Sequence, residues 1–215
     1  MKKQLIAVVS ALAMTFTSLP CVSIATENVP KPVLQYTFDG NKQLADKNGK
    51  NELKLSGGAS VTDDGNKGKG LLLDGTDGYA ELPDNILSSD MTITTWVKIN
   101  KFTTWGRVFD FGTDSNQNFF FAPYSGGASR VEIKNGATVD TMDCTQETAK
   151  DWVNYAITIK GDNVSYYRNG RLIKSKSGIK DISELTNTAN YIGKSHYDGD
   201  AYLSAVVDDF RVYNT

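Results

Sequence analysis

From Val33 onward, apolar residues recur at every second position in short runs, and glycine, asparagine and aspartate break the runs apart. A period of two is the signature of a half-buried strand, because successive side chains point to opposite faces. Leu34, Tyr36 and Phe38 alternate in this way and predict a strand over Val33–Asp39. Asp151–Ser175 carries the strongest local signal. Runs rich in β-branched and aromatic residues, Trp152–Lys160 and Asn163–Arg168, flank Gly161-Asp162, and Arg171–Lys174 follows Asn169-Gly170. An Asn-Gly pair between two strands predicts a type I′ hairpin, since both central residues of that turn need positive φ. The segment therefore reads as a three-stranded antiparallel meander ending in a lysine-rich strand.

The same pattern continues along the chain. Leu53–Leu55, Ala59–Thr62, Leu71–Asp74, Tyr79–Leu82, Thr92–Ile99, Arg107–Phe111, Asn118–Ala122, Ser129–Lys134, Ala137–Met142, Asn190–Gly193 and Tyr202–Tyr213 read as strands. Thr92–Ile99 has Ile93, Val97 and Ile99 on one side and Trp96 on the other, which predicts a central strand covered on both faces. Asp84–Asp90 is expected to form one helical turn and Ile179–Leu185 a short 3₁₀ turn. Many short strands with closely spaced turns imply an all-β antiparallel sandwich of jelly-roll type, almost without helix. The first and last strands are both strongly patterned and are expected to pair, which leaves fewer exposed edges.

The amino terminus follows other rules. Lys2 and Lys3, an apolar run from Leu5 to Phe16, and Ser23-Ile24-Ala25 read as a secretory signal over residues 1–25. Cys21 after Leu19-Pro20 offers a weaker lipoprotein reading. Residues 26–32, with two prolines, read as a flexible lead-in, and 33–215 as the domain. The formal charge is −2, and loss of Lys2 and Lys3 takes it to −4. Such a balance argues against nucleic-acid or anionic-membrane partners, which need a basic surface. Removal of Cys21 would leave Cys144 alone, read as a small buried hydrophobe.

Several stretches carry a family resemblance. Trp152 with Ala156 and Thr158, then Tyr167-Arg168-Asn169-Gly170, resembles the hairpins of laminin-G-like jelly rolls of the concanavalin A-like lectin/glucanase superfamily. Tyr36–Asp39 resembles the opening strand of that family. Gly70–Gly75 with Gly78-Tyr79, Thr92–Lys98, Arg107–Gly112, Tyr191–Gly193 and Asp208–Tyr213 resemble later steps, in order. The resemblance implies a module of secreted or surface proteins, often attached to polysaccharide-degrading enzymes. Several such modules bind sugars, and many contain a structural calcium.

Glucanases of this superfamily pair acids in a Glu-x-Asp-x-Glu strand. None of Glu27, Glu52, Glu81, Glu132, Glu147 and Glu184 has an aspartate two residues on, and His196 is the single histidine. Catalysis is therefore not expected. Asp39 and the Asp208-Asp209 pair lie on strands expected to be adjacent. With Val206, Phe210 and Val212 on the same face, Asp208 is expected to point towards the core, where an unpaired carboxylate is costly. Calcium (Ca2+), held by Asp39, Asp74, Asp208 and Asp209 with loop carbonyls, is one answer; amide hydrogen bonds or a pair with Arg211 are the other. For sugar, an aromatic platform beside planar polar groups is needed. Trp105, Tyr124, His196, Tyr197 and Tyr202 fall in or beside loops, with Asp110, Arg130, Asn190 and Asp198 as polar candidates, whereas Trp96 and Trp152 read as packing. The leading expectation is a secreted, non-catalytic module that binds a polysaccharide or glycan. A protein-interaction domain at the cell surface, or an accessory piece of a multimodular glycoside hydrolase, are the alternatives.

Overall fold

A computed structural model describes residues 30–215, so the expected signal over 1–25 and most of the lead-in lie outside the described residues. Fifteen strands form two antiparallel sheets. They are β1 (Leu34–Tyr36), β2 (Lys54–Ser56), β3 (Ser60–Thr62), β4 (Gly70–Asp74), β5 (Tyr79–Leu82), β6 (Met91–Lys101), β7 (Phe109–Asp114), β8 (Gln117–Ala122), β9 (Ala128–Asn135), β10 (Thr138–Thr145), β11 (Val153–Lys160), β12 (Asn163–Arg168), β13 (Arg171–Ser177), β14 (Ala189–Ile192) and β15 (Ser204–Tyr213). One sheet runs β13-β12-β11-β6-β15-β4-β3, and β1 also pairs with β15. The other runs β10-β9-β8-β7-β14-β5-β2.

The expected meander is β11-β12-β13, and its Asn169-Gly170 turn has φ of 50° and 74°, as a type I′ turn requires. The first and last described strands pair: Leu34 lies opposite Val212 and Tyr36 opposite Phe210. β15 thus has β6 along one edge, with β4 and then β1 along the other. Between the sheets the core is aromatic. Phe109 meets Phe119, Phe111 meets Phe210, and Phe121 meets Tyr155, each edge-to-face with centroids 5.1 to 6.4 Å apart, the geometry ring quadrupoles favour. Cys144 sits in this core as a free thiol, which burial pushes up to about 11. At the far edges, Lys176 pairs with Asp140 and Lys174 Nζ donates to the Asp143 carbonyl. These bridges tie β13 to β10, so both outer edges are partly covered.

Three expectations need correction. Asp84–Asp90 forms no helical turn. The amides of Ile86 and Leu87 donate to Asn187 Oδ1, and that of Asn85 to the Asn187 carbonyl, so those amides bond outwards. β6 is central but only one of its faces is sealed, since Thr92, Thr94, Trp96 and Lys98 on the other are half-exposed. Trp96 and Trp152 stand on that outer side rather than in the core; Lys98 Nζ lies 5.5 Å from the Trp152 ring. Finally, Asp208 does not share a face with Phe210. The β15–β6 register slips between Asp208 and Arg211, and Asp209 takes a left-handed φ of 48°. Ala205 and Val207 face the core before this bulge, and Phe210 and Val212 after it. The extra residue inverts the period of two, and Asp208 is buried on the outer face instead.

Phe210 closes the core beside the bulge, so Phe210→Ala is expected to cost about 3–5 kcal/mol in urea unfolding. Leu172→Ala, at a position 49% exposed, is expected to stay within roughly 0.5 kcal/mol.

Candidate functional site

The site lies on the outer face of the seven-stranded sheet. In β8, Phe119 and Phe121 face the core, so Phe120 must face outward. In β9, Val131 and Ile133 face the core, which turns Arg130, Glu132 and Lys134 outward beside it, and Phe120 pairs directly with Glu132. Two connections that cross between the sheets close over this floor: Phe102–Val108, from β6 to β7, and Gly193–Leu203, from β14 to β15. Between them and the floor lies a cavity of about 270 Å³ lined by Trp105, Arg107, Phe120, Arg130, Glu132, Tyr197 and Asp200.

Arg107 holds these pieces together. It is 2% exposed, and its guanidinium carbon sits 3.7 Å from the Phe120 ring centroid, within cation–π range. Its Nη1 donates to the Trp105 carbonyl at 3.1 Å and its Nη2 to Asp200 Oδ2 at 2.9 Å. Asp200 Oδ2 also accepts the Ser195 hydroxyl, whose oxygen in turn accepts the Tyr197 amide. One carboxylate thereby fixes the Ser195–Asp200 loop against Arg107. Burial draws the guanidinium below its ordinary range, while Asp110, Asp200 and Glu132 pull the other way.

Asp110 and His196 lie behind Arg107 rather than on the cavity wall. Asp110 is fully buried, and its Oδ2 accepts the His196 amide at 3.1 Å. His196 Nε2 faces the Ala189 carbonyl at 2.8 Å. Its Nδ1 stands 2.8 Å from Asp110 Oδ1 but out of line for a hydrogen bond, and Arg107 Nε is 3.7 Å from Asp110 Oδ2. Neither contact is a directed hydrogen bond. On the open side, Arg130 makes a two-pronged pair with Asp143, at 2.6 and 2.9 Å, and reaches Glu132 Oε2 at 3.4 Å. Hydrogen bonding to Asp143 raises Arg130, and the same bond holds the Asp143 carboxyl below its usual range. The Trp105 ring lies between these cations, 5.2 Å from Arg107 and 5.1 Å from Arg130. Its backbone adopts a left-handed φ of 67° while its amide donates to the Tyr124 carbonyl. A bulky residue held in that region is strained, and such strain gathers at ligand sites.

Of the residues singled out from sequence, the cavity gathers Trp105, Arg130 and Tyr197. Tyr124 is outside it, its ring edge-on to Phe102. Asn190 is buried and bridges Gly112, Pro83 and Asn187. Tyr202 and Asp198 line a smaller concavity on the other side of Tyr197 and Asp200. Arg107, Phe120, Glu132 and Asp200 were missed. The triple phenylalanine and the alternation Arg130-Val131-Glu132-Ile133-Lys134 held the signal, because each forces a large or charged side chain onto the outer face.

The four acidic candidates divide. Asp39, Asp208 and Asp209 line one groove with Trp96, Lys47 and Arg211. Asp39 Oδ1 accepts the Lys69 amide and Asp208 Oδ2 the Lys67 amide, so both grip the same glycine-rich loop. Asp209 is committed to Arg211 and Gln35. Asp74 is remote, at the opposite end of the β4–β15 pairing, where its Oδ1 accepts the amides of Thr76, Asp77 and Gly78. Among the described residues no three His, Cys, Asp or Glu side chains form a metal-holding group. Asp208 is nonetheless 2% exposed. Burial raises its carboxyl, and the charges of Asp209 and Asp39 push the same way. The backbone amides of Lys67 and Asp209, donating to its two oxygens, act in the opposite sense.

A jelly-roll sandwich with a loop-capped, aromatic and ion-paired cavity is a lectin-like architecture. The chain belongs to the concanavalin A-like lectin/glucanases superfamily, whose laminin-G-like profile matches residues 74–215. It is similar to an alpha-L-arabinofuranosidase of Bifidobacterium longum, 27% identical over 89% of this chain. The chain spans 21% of that enzyme's length. Among solved structures it resembles domain 4 of AbnA, a GH43 extracellular arabinanase from Geobacillus stearothermophilus, in complex with arabinotriose. The TM-score is 0.75 and the identity 22%, over 86% of this chain and 93% of that one. The binding domain of botulinum neurotoxin DC in complex with rat synaptotagmin II shares the fold at a TM-score of 0.66 and 16% identity, over 86% of this chain and 48% of that one.

The Arg130–Asp143 pair contributes to stability above the unfolded carboxyl range, near about 4, and its contribution is lost as pH falls through the depressed Asp143 value. An NMR titration is expected to find Asp143 Cγ titrating below that range, and moving up in Arg130→Ala; an unchanged titration contradicts the pairing.

Proposed function

We propose that this chain is a non-catalytic carbohydrate-binding module of a secreted or surface protein, holding sugar in the Trp105–Tyr197 cavity. One observation carries the reading: a strained tryptophan and a tyrosine flank a small cavity floored by Phe120, whose remaining walls are fixed, planar, hydrogen-bonding groups. Sugar rings stack their C–H faces on aromatic rings while hydroxyls meet carboxylates and guanidiniums. Preformed walls reduce the ordering cost of a weak ligand. The absence of the paired-acid strand from the sequence supports binding without cleavage. The likeness to domain 4 of an extracellular arabinanase, and to part of an arabinofuranosidase, supports a role beside an enzyme acting on arabinose-containing polymers. Trp105→Ala is expected to weaken binding of arabino-oligosaccharides at least tenfold by isothermal titration calorimetry, a loss on the scale of about 1–3 kcal/mol for one stacking face, whereas Trp96→Ala leaves it unchanged. Equal affinity in Trp105→Ala and the native protein contradicts the assignment.

We further propose that calcium stabilises the module by bridging Asp39 and Asp208 to the loop between β3 and β4. Asp208 must be ionised to bind it, and its carboxyl is raised, so the effect weakens as the solution is made mildly acidic. Added calcium is expected to raise the melting temperature and EDTA to reverse the rise. Asp208→Asn removes that increment; a melting temperature indifferent to both additions contradicts the proposal.

A further inference from the structure

The charges around the cavity also bear on which class of sugar enters it. Two guanidiniums, Arg107 and Arg130, line or abut it, and each already has carboxylate partners: Asp200 and Asp110 for the first, Asp143 and Glu132 for the second. Of these four carboxylates only Glu132 and Asp200 line the cavity, where they balance the two guanidiniums, and Lys134 stands 5.3 Å from the Tyr197 ring. An anionic ligand would have to displace a carboxylate already paired with each guanidinium.

The unspent hydrogen-bonding capacity points the same way. Glu132 Oε2 accepts from Thr141 and Arg130, and Asp200 Oδ2 from Arg107 and Ser195. Their second oxygens, Glu132 Oε1 and Asp200 Oδ1, take no hydrogen bond from the described residues, and both side chains line the cavity. The guanidiniums spend N–H groups on these carboxylates and on the Trp105 carbonyl, although Arg107 Nε has no hydrogen-bond partner. The two open carboxylate oxygens are acceptors only, and each needs a donor. Sugar hydroxyls supply donors; the carboxylate of a uronate or sialate, or a sulfate ester, supplies none.

Resting on the reading of this cavity as a sugar site, we propose that it selects neutral sugar units and rejects acidic ones, with Glu132 Oε1 and Asp200 Oδ1 accepting from ligand hydroxyls. The volume, about 270 Å³, lies at the small end of ligand pockets, which suits a short stretch of neutral sugar rather than an extended chain.

The test is calorimetry of the whole protein against arabinotriose, tri-galacturonate and sialyllactose at low and high salt. Arabinotriose is expected to bind with an affinity that salt leaves unchanged, and the two acidic sugars to bind at least tenfold more weakly. Glu132→Gln keeps the shape, removes the charge and is expected to weaken arabinotriose about tenfold, the loss of one charge-assisted hydrogen bond. If an acidic sugar binds as well as the neutral one and loses affinity in Trp105→Ala, the charge argument is overturned while the sugar site stands. If none of the three sugars binds, or binding ignores Trp105→Ala, the sugar site itself falls and the selectivity with it. The native protein's preference decides the matter even where Glu132→Gln does not fold.

Discussion

The cavity depends on a buried cation. Removing a guanidinium from water costs several kcal/mol unless charge and hydrogen bonds replace the solvent. Arg107 therefore dictates what surrounds it. Asp110 must come from the adjacent strand and Asp200 from a distant connection, while Phe120 supplies a ring beneath. Because Asp200 also ties Ser195 and Tyr197, satisfying one cation brings two sheet-crossing connections together over one floor. The concavity follows from that arrangement, and Trp105, whose carbonyl Arg107 holds, is left presenting its ring to it.

The sandwich supplies the rigidity. β15 carries β6 on one edge and both β4 and β1 on the other, so the chain's first and last strands are locked in one ladder. The bulge at Asp209 lets this strand serve two partners: it shifts register and inverts the facing of side chains. Two concavities therefore sit on opposite outer faces, the cavity above β8 and β9 and the charged groove beside β15.

Much of this was legible from the sequence. Asn169-Gly170 announced its turn, Leu34, Tyr36 and Phe38 their common face, and Trp105, Arg130 and Tyr197, singled out as candidates, meet in one cavity. What escaped has physical causes. Asp208 was assigned to the core face because a period of two was carried across a bulge that no local residue pattern marks. Asp84–Asp90 was read as a helical turn because the competing acceptor, Asn187, is a hundred positions away in the chain. Arg107 heads the strand expected over Arg107–Phe111, and its burial arises from Phe120 and Asp200, neither of which is near it in sequence. Glu132 and Phe120 carry no loop signal, because the floor of the cavity is the outer face of two adjacent strands.

The most direct test is a ¹H–¹⁵N NMR titration with arabinotriose that follows backbone amides and the side-chain N–H groups of tryptophan and arginine. The account predicts the largest shifts at the Trp105 indole, the Arg107 and Arg130 Nε–H groups and the Tyr197–Asp200 amides, with Trp96 and Trp152 silent. Shifts centred on Trp96 and Trp152, with the Arg107 cluster unmoved, would contradict it.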